Sequence, residues 1–421
     1  MNLNNSKNIL TFFGTRPEAI KMIPVIKSLR QRGFKVTVGL SGQHTDMVDQ
    51  LLELFGLTAD FTLNIQGSVK NVEDPIVLII PGLCAKLREF KPDLILVHGD
   101  TSSTLAGALA GYYEKIPVGH VEAGLRSSNI FHPWPEEINR KLTADLTLLH
   151  FAPTALAMEN LLRENVPGDE IFVTGNTVVD ALYMMNDEIE KNQVMRTGFE
   201  EKYSFLNEDK KWILMTGHRR ENLGEGLNNV MQAILELSKR SDVEIIFPVH
   251  PNPKVRSSFA ELITPDCPVH IVDPLPYSEM VWLLSRSSLV ITDSGGIQEE
   301  APSFKVPAVV TRETTERKEA VLKGWAKLVG TDKQKIIDAS IEFLDSTSLK
   351  QYLDLEQNPY GDGTAADQIS AVIESLTCEE GYFFAVNKKK QEQIALSVFI
   401  AEAAGPASVT YKNPELVSVN M

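Results

Sequence analysis

The sequence predicts an α/β protein of two doubly wound, Rossmann-like domains that face each other across a cleft, with a C-terminal helix packing back on the first domain. Three observations lead there. Short apolar runs rich in Val, Ile and Leu do not alternate with polar residues, as expected of strands buried on both faces of a parallel sheet. Helical patterns separate most of these runs and supply the crossovers that parallel strands need. The cycle restarts after Gly175, and two series of about 170 residues match two domains.

In the first series, residues 8–13 read as a strand, and GTRPEAIKM opens an amphipathic helix that runs to Arg32. Further strands are expected at 34–40, 93–97, 117–121, 146–151 and 171–174. The second series places strands at 212–216, 244–249, 270–272, 289–292 and 308–311. The polar stretch 187–211 reads as the connection between them. Domains are therefore expected at 8–185 and 205–358, with 359–376 as the returning helix and 377–421 as a tail without an assigned structure.

Composition narrows the function. The chain has 421 residues, 43% hydrophobic and 23% charged, which is ordinary for a globular protein. Its formal net charge of −15 argues against nucleic acid or an anionic membrane as a partner. Cys84, Cys267 and Cys378 are far apart and odd in number, so neither a disulfide framework nor a zinc site is expected, which fits a reducing cytoplasm. The opening MNLNNSKNILTFFG lacks the pattern of a signal peptide. No apolar run reaches about 18 residues, the length of a membrane span.

Ligands of open parallel sheets bind beyond the carboxyl ends of the strands, so the polar residues there carry the chemistry. After the first strand, Thr15 and Glu18 have capping-box spacing and Pro17 suits a first helical turn, while Arg16 and Lys21 can reach an anion. Asp100, in HGDTSST, is either a site acid or a helix cap. Glu122 follows an apolar run and needs a partner if buried, with Arg126 the structural alternative. Glu136 and Glu137 follow two prolines that stiffen the loop around Trp134. In the second series, His218 follows a strand and can act as an acid or a neutral donor. Ser294, Gly295 and Gly296 can offer backbone N–H groups to a phosphate, Glu300 can accept two ribose hydroxyls, and Arg317 adds charge for a diphosphate. Together these suggest a nucleotide diphosphate lying across the cleft. Neither a GxGxxG fingerprint nor a GxxxxGK[ST] loop occurs, which disfavours hydride transfer from a bound dinucleotide and NTP hydrolysis.

GTRPEAIKM, HGDTSST, GHVEAGLRS, PWPEEINR, TGNTVVDAL, TGHRRENLG, PVHPNP, DSGGIQEEAPS, TTER and NPYGDG occur in this order. The chain resembles, over residues 8–376, the non-hydrolysing UDP-N-acetylglucosamine 2-epimerases of bacteria. The resemblance implies the two-domain GT-B-type fold and a homodimer. It also implies interconversion of UDP-N-acetylglucosamine and UDP-N-acetylmannosamine without a cofactor or metal, through loss of UDP to a bound 2-acetamidoglucal and its re-addition. The product would supply a surface polysaccharide. By resemblance Asp100, Glu122 and Glu136 match the family's catalytic carboxylates and His218 its catalytic histidine. Arg16 and Lys21 match its basic pair, Glu300 its ribose-binding acid, and Gln43 and His250 lie where an activating second substrate binds. Two stretches depart from the family: Gln66 to Val72, and Ser303 to Pro307, which lacks the glycine usual before Lys-Pro. The alternatives are a glycosyltransferase of the same fold that uses a UDP-sugar, a hydrolysing epimerase, and a non-catalytic UDP-sugar sensor.

Overall fold

The computed structural model describes residues 7–43, 45–217, 225–249 and 269–378. Two parallel sheets organise it. The first contains β1 (Asn8–Phe13), β2 (Lys35–Leu40), β3 (Phe61–Thr62), β4 (Leu94–His98), β5 (Val118–Val121), β6 (Leu149–Ala152) and β7 (Ile171–Val173). Their spatial order is β3-β2-β1-β4-β5-β6-β7. The second contains β8 (Lys211–Thr216), β9 (Val243–Pro248), β10 (Val269–Val272), β11 (Leu289–Thr292), β12 (Ala308–Val310) and β13 (Ala326–Leu328), in the order β10-β9-β8-β11-β12-β13. Each sheet reverses its winding once, between β1 and β4 in the first and between β8 and β11 in the second. Those are the switch points at which such sheets open a crevice. The loops after β1, β4, β8 and β11 are the ones that carry most of the expected site residues.

The first sheet is flanked by α1 (Arg16–Gln31), α2 (Thr45–Leu54), α3 (Asp74–Phe90), α4 (Ser102–Tyr113), α5 (Glu136–Leu146) and α6 (Ala155–Arg163). The sequence LAGALAG makes α4 a helix of small residues, which lets it lie close on the sheet. A Cβ at Gly107 would stand 2.7 Å from Val97 Cγ1 and 3.2 Å from Phe12 Cδ1. The core beneath contains Leu10, Phe12, Ile95, Val97, Leu83 and Leu87, all buried. In the second sheet Ile213, Ile245, Phe247, Ile291 and Val309 are buried with Trp325 and Ile336.

α7 (Thr177–Lys191) is shared by the two lobes: it packs on α1, on the helix Tyr277–Arg286 and on the short helix Gly295–Glu300. The segment after Leu355 reaches it as well. Asn176 N donates to the Tyr360 carbonyl at 2.7 Å, and Asp180 accepts from the amides of Ala365 and Ala366 at 3.3 and 2.8 Å. Arg32, just after α1, pairs with Asp367 at 2.7 Å.

The observed elements sharpen several expectations. The polar stretch 187–211 is largely helical, formed by the end of α7 and by α8 (Gln193–Lys202). The strand expected from 146 begins at Leu149, because Leu146 closes α5. β3 and β13 are two and three residues long and too short to leave a periodic signal. At the atypical stretch 303–307, Lys305 holds a left-handed φ of 59°. Its Nζ donates to the Asp354 and Glu356 carbonyls at 3.3 and 2.7 Å, and stands 5.4 Å from the Trp325 ring centroid. Among the described residues, no helix is long and apolar enough to cross a membrane.

Candidate active site

The loops after β1 and β4 are joined by one buried carboxylate. Glu18 Oε2 accepts from Gly14 N at 3.0 Å and from Thr15 N and Oγ1 at 2.8 Å, closing the expected capping box. Its Oε1 accepts from Thr101 Oγ1 at 2.7 Å and Thr104 Oγ1 at 3.2 Å. Burial pushes Glu18 above its usual range, and these donors oppose the rise. Arg16, the first residue of α1, is half-buried and feels Glu300 and Tyr277 of the second lobe.

Asp100 does not cap α4. Thr101 does, with its hydroxyl accepting from Thr104 N at 3.2 Å. Asp100 Oδ2 instead accepts from Arg140 Nε at 2.9 Å and Nη2 at 2.6 Å. Arg140 also donates to Glu137 at 2.8 Å, and Glu137 accepts the amides of Ser127 and Ser128, both at 3.0 Å. Of the two adjacent acids, Glu137 is thus fully buried and structural, while the half-buried Glu136 opens α5.

Glu122 is buried at the end of β5 with a positive φ of 65°, a conformation disfavoured for a residue with a Cβ. It does not pair with Arg126, whose Nη2 lies 2.6 Å from Glu164 Oε2. Glu122 Oε2 accepts from Lys21 Nζ and, at 2.9 Å, from Asn176 Nδ2. His98 Nε2 lies 3.8 Å away. Burial alone would raise the Glu122 pKa; the Lys21 ammonium, joined by His98 and Arg317, outweighs it and holds the carboxylate well below its usual range. Lys21, equally buried, stays charged because Glu122 and Glu299 more than offset its desolvation.

Lys21 also joins the lobes. Its Nζ donates to Glu299 Oε2 at 2.9 Å, and Glu299 Oε1 accepts from Arg317 Nε at 2.9 Å. Arg317 continues to Glu316, giving a buried row of alternating charge from β5 to the second lobe. Glycine at 295 leaves room for this row: a Cβ there would lie 3.1 Å from Arg317 Cζ, a tight contact. Ser294 precedes the short helix, and its N–H donates to Thr292 Oγ1 at 2.9 Å, so that amide is not free for a phosphate; a Cβ on Gly296 would meet Ser294 Oγ at 3.9 Å. Glu300 is pushed up to about 8, first by burial and then by the Glu299 charge, against the pull of Lys21 and Arg16.

The structure therefore brings together Arg16, Lys21, Asp100 and Glu122 from the first lobe with Glu300 and Arg317 from the second. Gln43 Oε1 accepts from Ser103 Oγ at 2.7 Å, beside the same loops. His218 and His250 lie outside the described residues. Sequence reasoning missed Arg140, Asn176 and Glu299, each of which holds an expected residue in place. Their signals were faint: Arg140 follows Glu137 by three positions, and Glu299 precedes Glu300 on the same short helix. A separate cavity of about 490 Å³, lined in part by Thr154, Tyr183, Ser303, Lys305 and Asp362, contains none of the expected residues.

This fold and this constellation define a two-lobed α/β enzyme of the GT-B type. The family model described as UDP-N-acetylglucosamine 2-epimerase matches residues 27–374. UDP-N-acetylglucosamine 2-epimerase of Escherichia coli is 45% identical over 369 residues, covering 87% of this chain and 98% of that protein. The chain belongs to the UDP-N-acetylglucosamine 2-epimerase family, a family of isomerases. A solved relative from Neisseria meningitidis, bound to UDP-GlcNAc, is 44% identical with a TM-score of 0.82 and covers 87% of this chain and 100% of its own. The Methanocaldococcus jannaschii enzyme, in complex with UDP-GlcNAc and UDP, is 34% identical with a TM-score of 0.74, covering 87% and 99%.

Proposed function

We propose that the chain catalyses reversible C2 epimerisation of UDP-N-acetylglucosamine to UDP-N-acetylmannosamine. A base removes the C2 proton as the C1–O bond breaks, and the bond electrons leave with UDP. The bound 2-acetamidoglucal is then protonated at C2 from the opposite face while a diphosphate oxygen re-forms the bond to C1. Asp100, Glu122 and Glu136 supply the base and the acid, with His218 beside the departing diphosphate. Arg16, Lys21, Arg317 and the amides of Gly295 and Gly296 stabilise charge that grows as UDP leaves. Glu300 takes the ribose hydroxyls, and Gln43 and His250 contact an activating second substrate. No metal ion or nicotinamide is called for.

The observation that carries this is the row Glu122–Lys21–Glu299–Arg317. It keeps a carboxylate ionised in the dry interior of one lobe and links it to the cation that faces the diphosphate from the other. We further propose lobes at 8–185 and 205–358 with 359–376 returning to the first, a homodimer, and a cytoplasmic enzyme whose product enters a surface polysaccharide. Exposed Val77 and Leu78 on α3, with Tyr112 and Tyr113 on the α4 packed against it, support a dimer contact there. The test is incubation with either sugar nucleotide alone, followed by NMR. The same mixture of the two epimers should form from both sides. Accumulation of UDP with free N-acetylmannosamine would show hydrolysis instead.

A further inference from the structure

His98 is the last residue of β4, and its side chain is 4% exposed. Among the described residues, neither of its ring nitrogens has a hydrogen-bond partner. Its neighbour His120 differs, because its Nε2 pairs with the Gly99 carbonyl at 2.7 Å. A buried imidazole with neither nitrogen paired to a protein group is an unfavourable arrangement, and native interiors retain few of them. His98 Nε2 stops 3.8 Å from Glu122 Oε2, roughly 1 Å beyond a hydrogen bond. That oxygen is already taken by Lys21 and Asn176.

Lys21 divides its ammonium between Glu122 and Glu299. A diphosphate that drew this ammonium away would leave Glu122 without its strongest partner. The groups around the pair are Lys21 from α1, Asn176 before α7, His120 on β5, Asp100 after β4, and Arg317 from the second lobe. Burial, with Lys21 and His120, pulls His98 down to about 4 against Glu122 and Asp100, so near neutrality the ring is uncharged with one N–H.

Resting on the reading of Glu122 as a reacting carboxylate, we propose that His98 is a positioning residue that takes over the hold on Glu122 when Lys21 turns to the diphosphate. Its Nε2–H then donates to Glu122 Oε2, keeping that carboxylate aimed at the sugar. His98 acts through Glu122 and does not touch the substrate.

The experiment compares the wild-type enzyme with His98→Phe and His98→Gln. Wild-type epimerisation is established first, so that failure of the functional reading shows as an inactive wild type. His98→Phe should lose about tenfold or more in kcat, with KM and UDP affinity within about twofold. The acid limb of its kcat profile should move up by about one pH unit, because the ionised Glu122 has lost a donor. His98→Gln, which keeps an N–H, should recover most of kcat and restore the limb. Unchanged kcat in a folded His98→Phe overturns the proposal, as does a raised KM with normal kcat, which would place His98 on the substrate. Equal losses in the Phe and Gln variants overturn it too. If the Phe variant does not fold, nitrogen-15 histidine NMR of the wild type decides. UDP should convert His98 to a hydrogen-bonded Nε2–H signal, and an unchanged signal refutes the takeover.

Discussion

Glu300 gives the most quantitative test of the second lobe. Burial and the neighbouring Glu299 hold it at about 8, so near pH 7 roughly nine in ten molecules carry a proton there. If the carboxylate accepts both ribose hydroxyls, nucleotide binding selects the ionised form and expels that proton. UDP should therefore release about 0.9 proton at pH 7, about half a proton at pH 8, and almost none above about pH 9. By the same linkage, affinity should rise about tenfold per pH unit up to pH 8, which is about 1.4 kcal/mol per unit. Folding stability has the opposite sign. The native state binds the extra proton between about 4.5 and 8, so this group's contribution falls as pH rises through that window and levels off above it. Calorimetry in two buffers of different ionisation enthalpy measures the proton directly, with Glu300→Gln as the control for other titrating groups. Equal binding enthalpies in both buffers, or the same release from the Gln variant, would exclude Glu300 as the proton donor.

Glu299→Gln breaks a fully buried carboxylate away from Lys21 and Arg317. It should destabilise by about 3–5 kcal/mol in denaturant unfolding, since two desolvated cations lose their common partner. Arg140→Met frees Asp100 from its two guanidinium bonds, and kcat should fall about 10- to 100-fold in steady-state assays while UDP binding is largely kept. Gly107→Ala forces a methyl against Val97 in the tightly packed face of α4, and urea unfolding should show a loss of about 1–3 kcal/mol.

Much of the site was legible because parallel sheets place their chemistry at strand ends. Arg16, Asp100 and Glu122 each follow an apolar run within a few residues, and the structure puts all three beyond β1, β4 and β5. What the sequence left open was pairing. Asp100 read equally well as a cap, and only the fold brings Arg140 to it from another element. Arg126, close in sequence to Glu122, was one possible partner, yet Glu122, with its left-handed backbone, meets Lys21, 101 positions away. Asn176 caps α7, accepting from Val178 N, while its amide donates to Glu122. Glu299 and Glu300 are neighbours with opposite fates: one is neutralised by cations from both lobes, the other is left with too few. Such differences arise from contacts across a cleft and leave no local periodicity. Lys305 is a further case. The missing glycine signalled a departure, and the structure shows lysine adopting the left-handed turn itself while its ammonium binds the carbonyls at the end of the helix Thr347–Leu355.

If the C2–H bond is broken and remade between the two lobes, running the reaction in D2O and reading the C2 position of both sugar nucleotides by proton NMR tests it most directly. The epimerised product should carry deuterium at C2, with its C2 proton signal lost. A product formed in full that retains its original C2 proton would rule the elimination out.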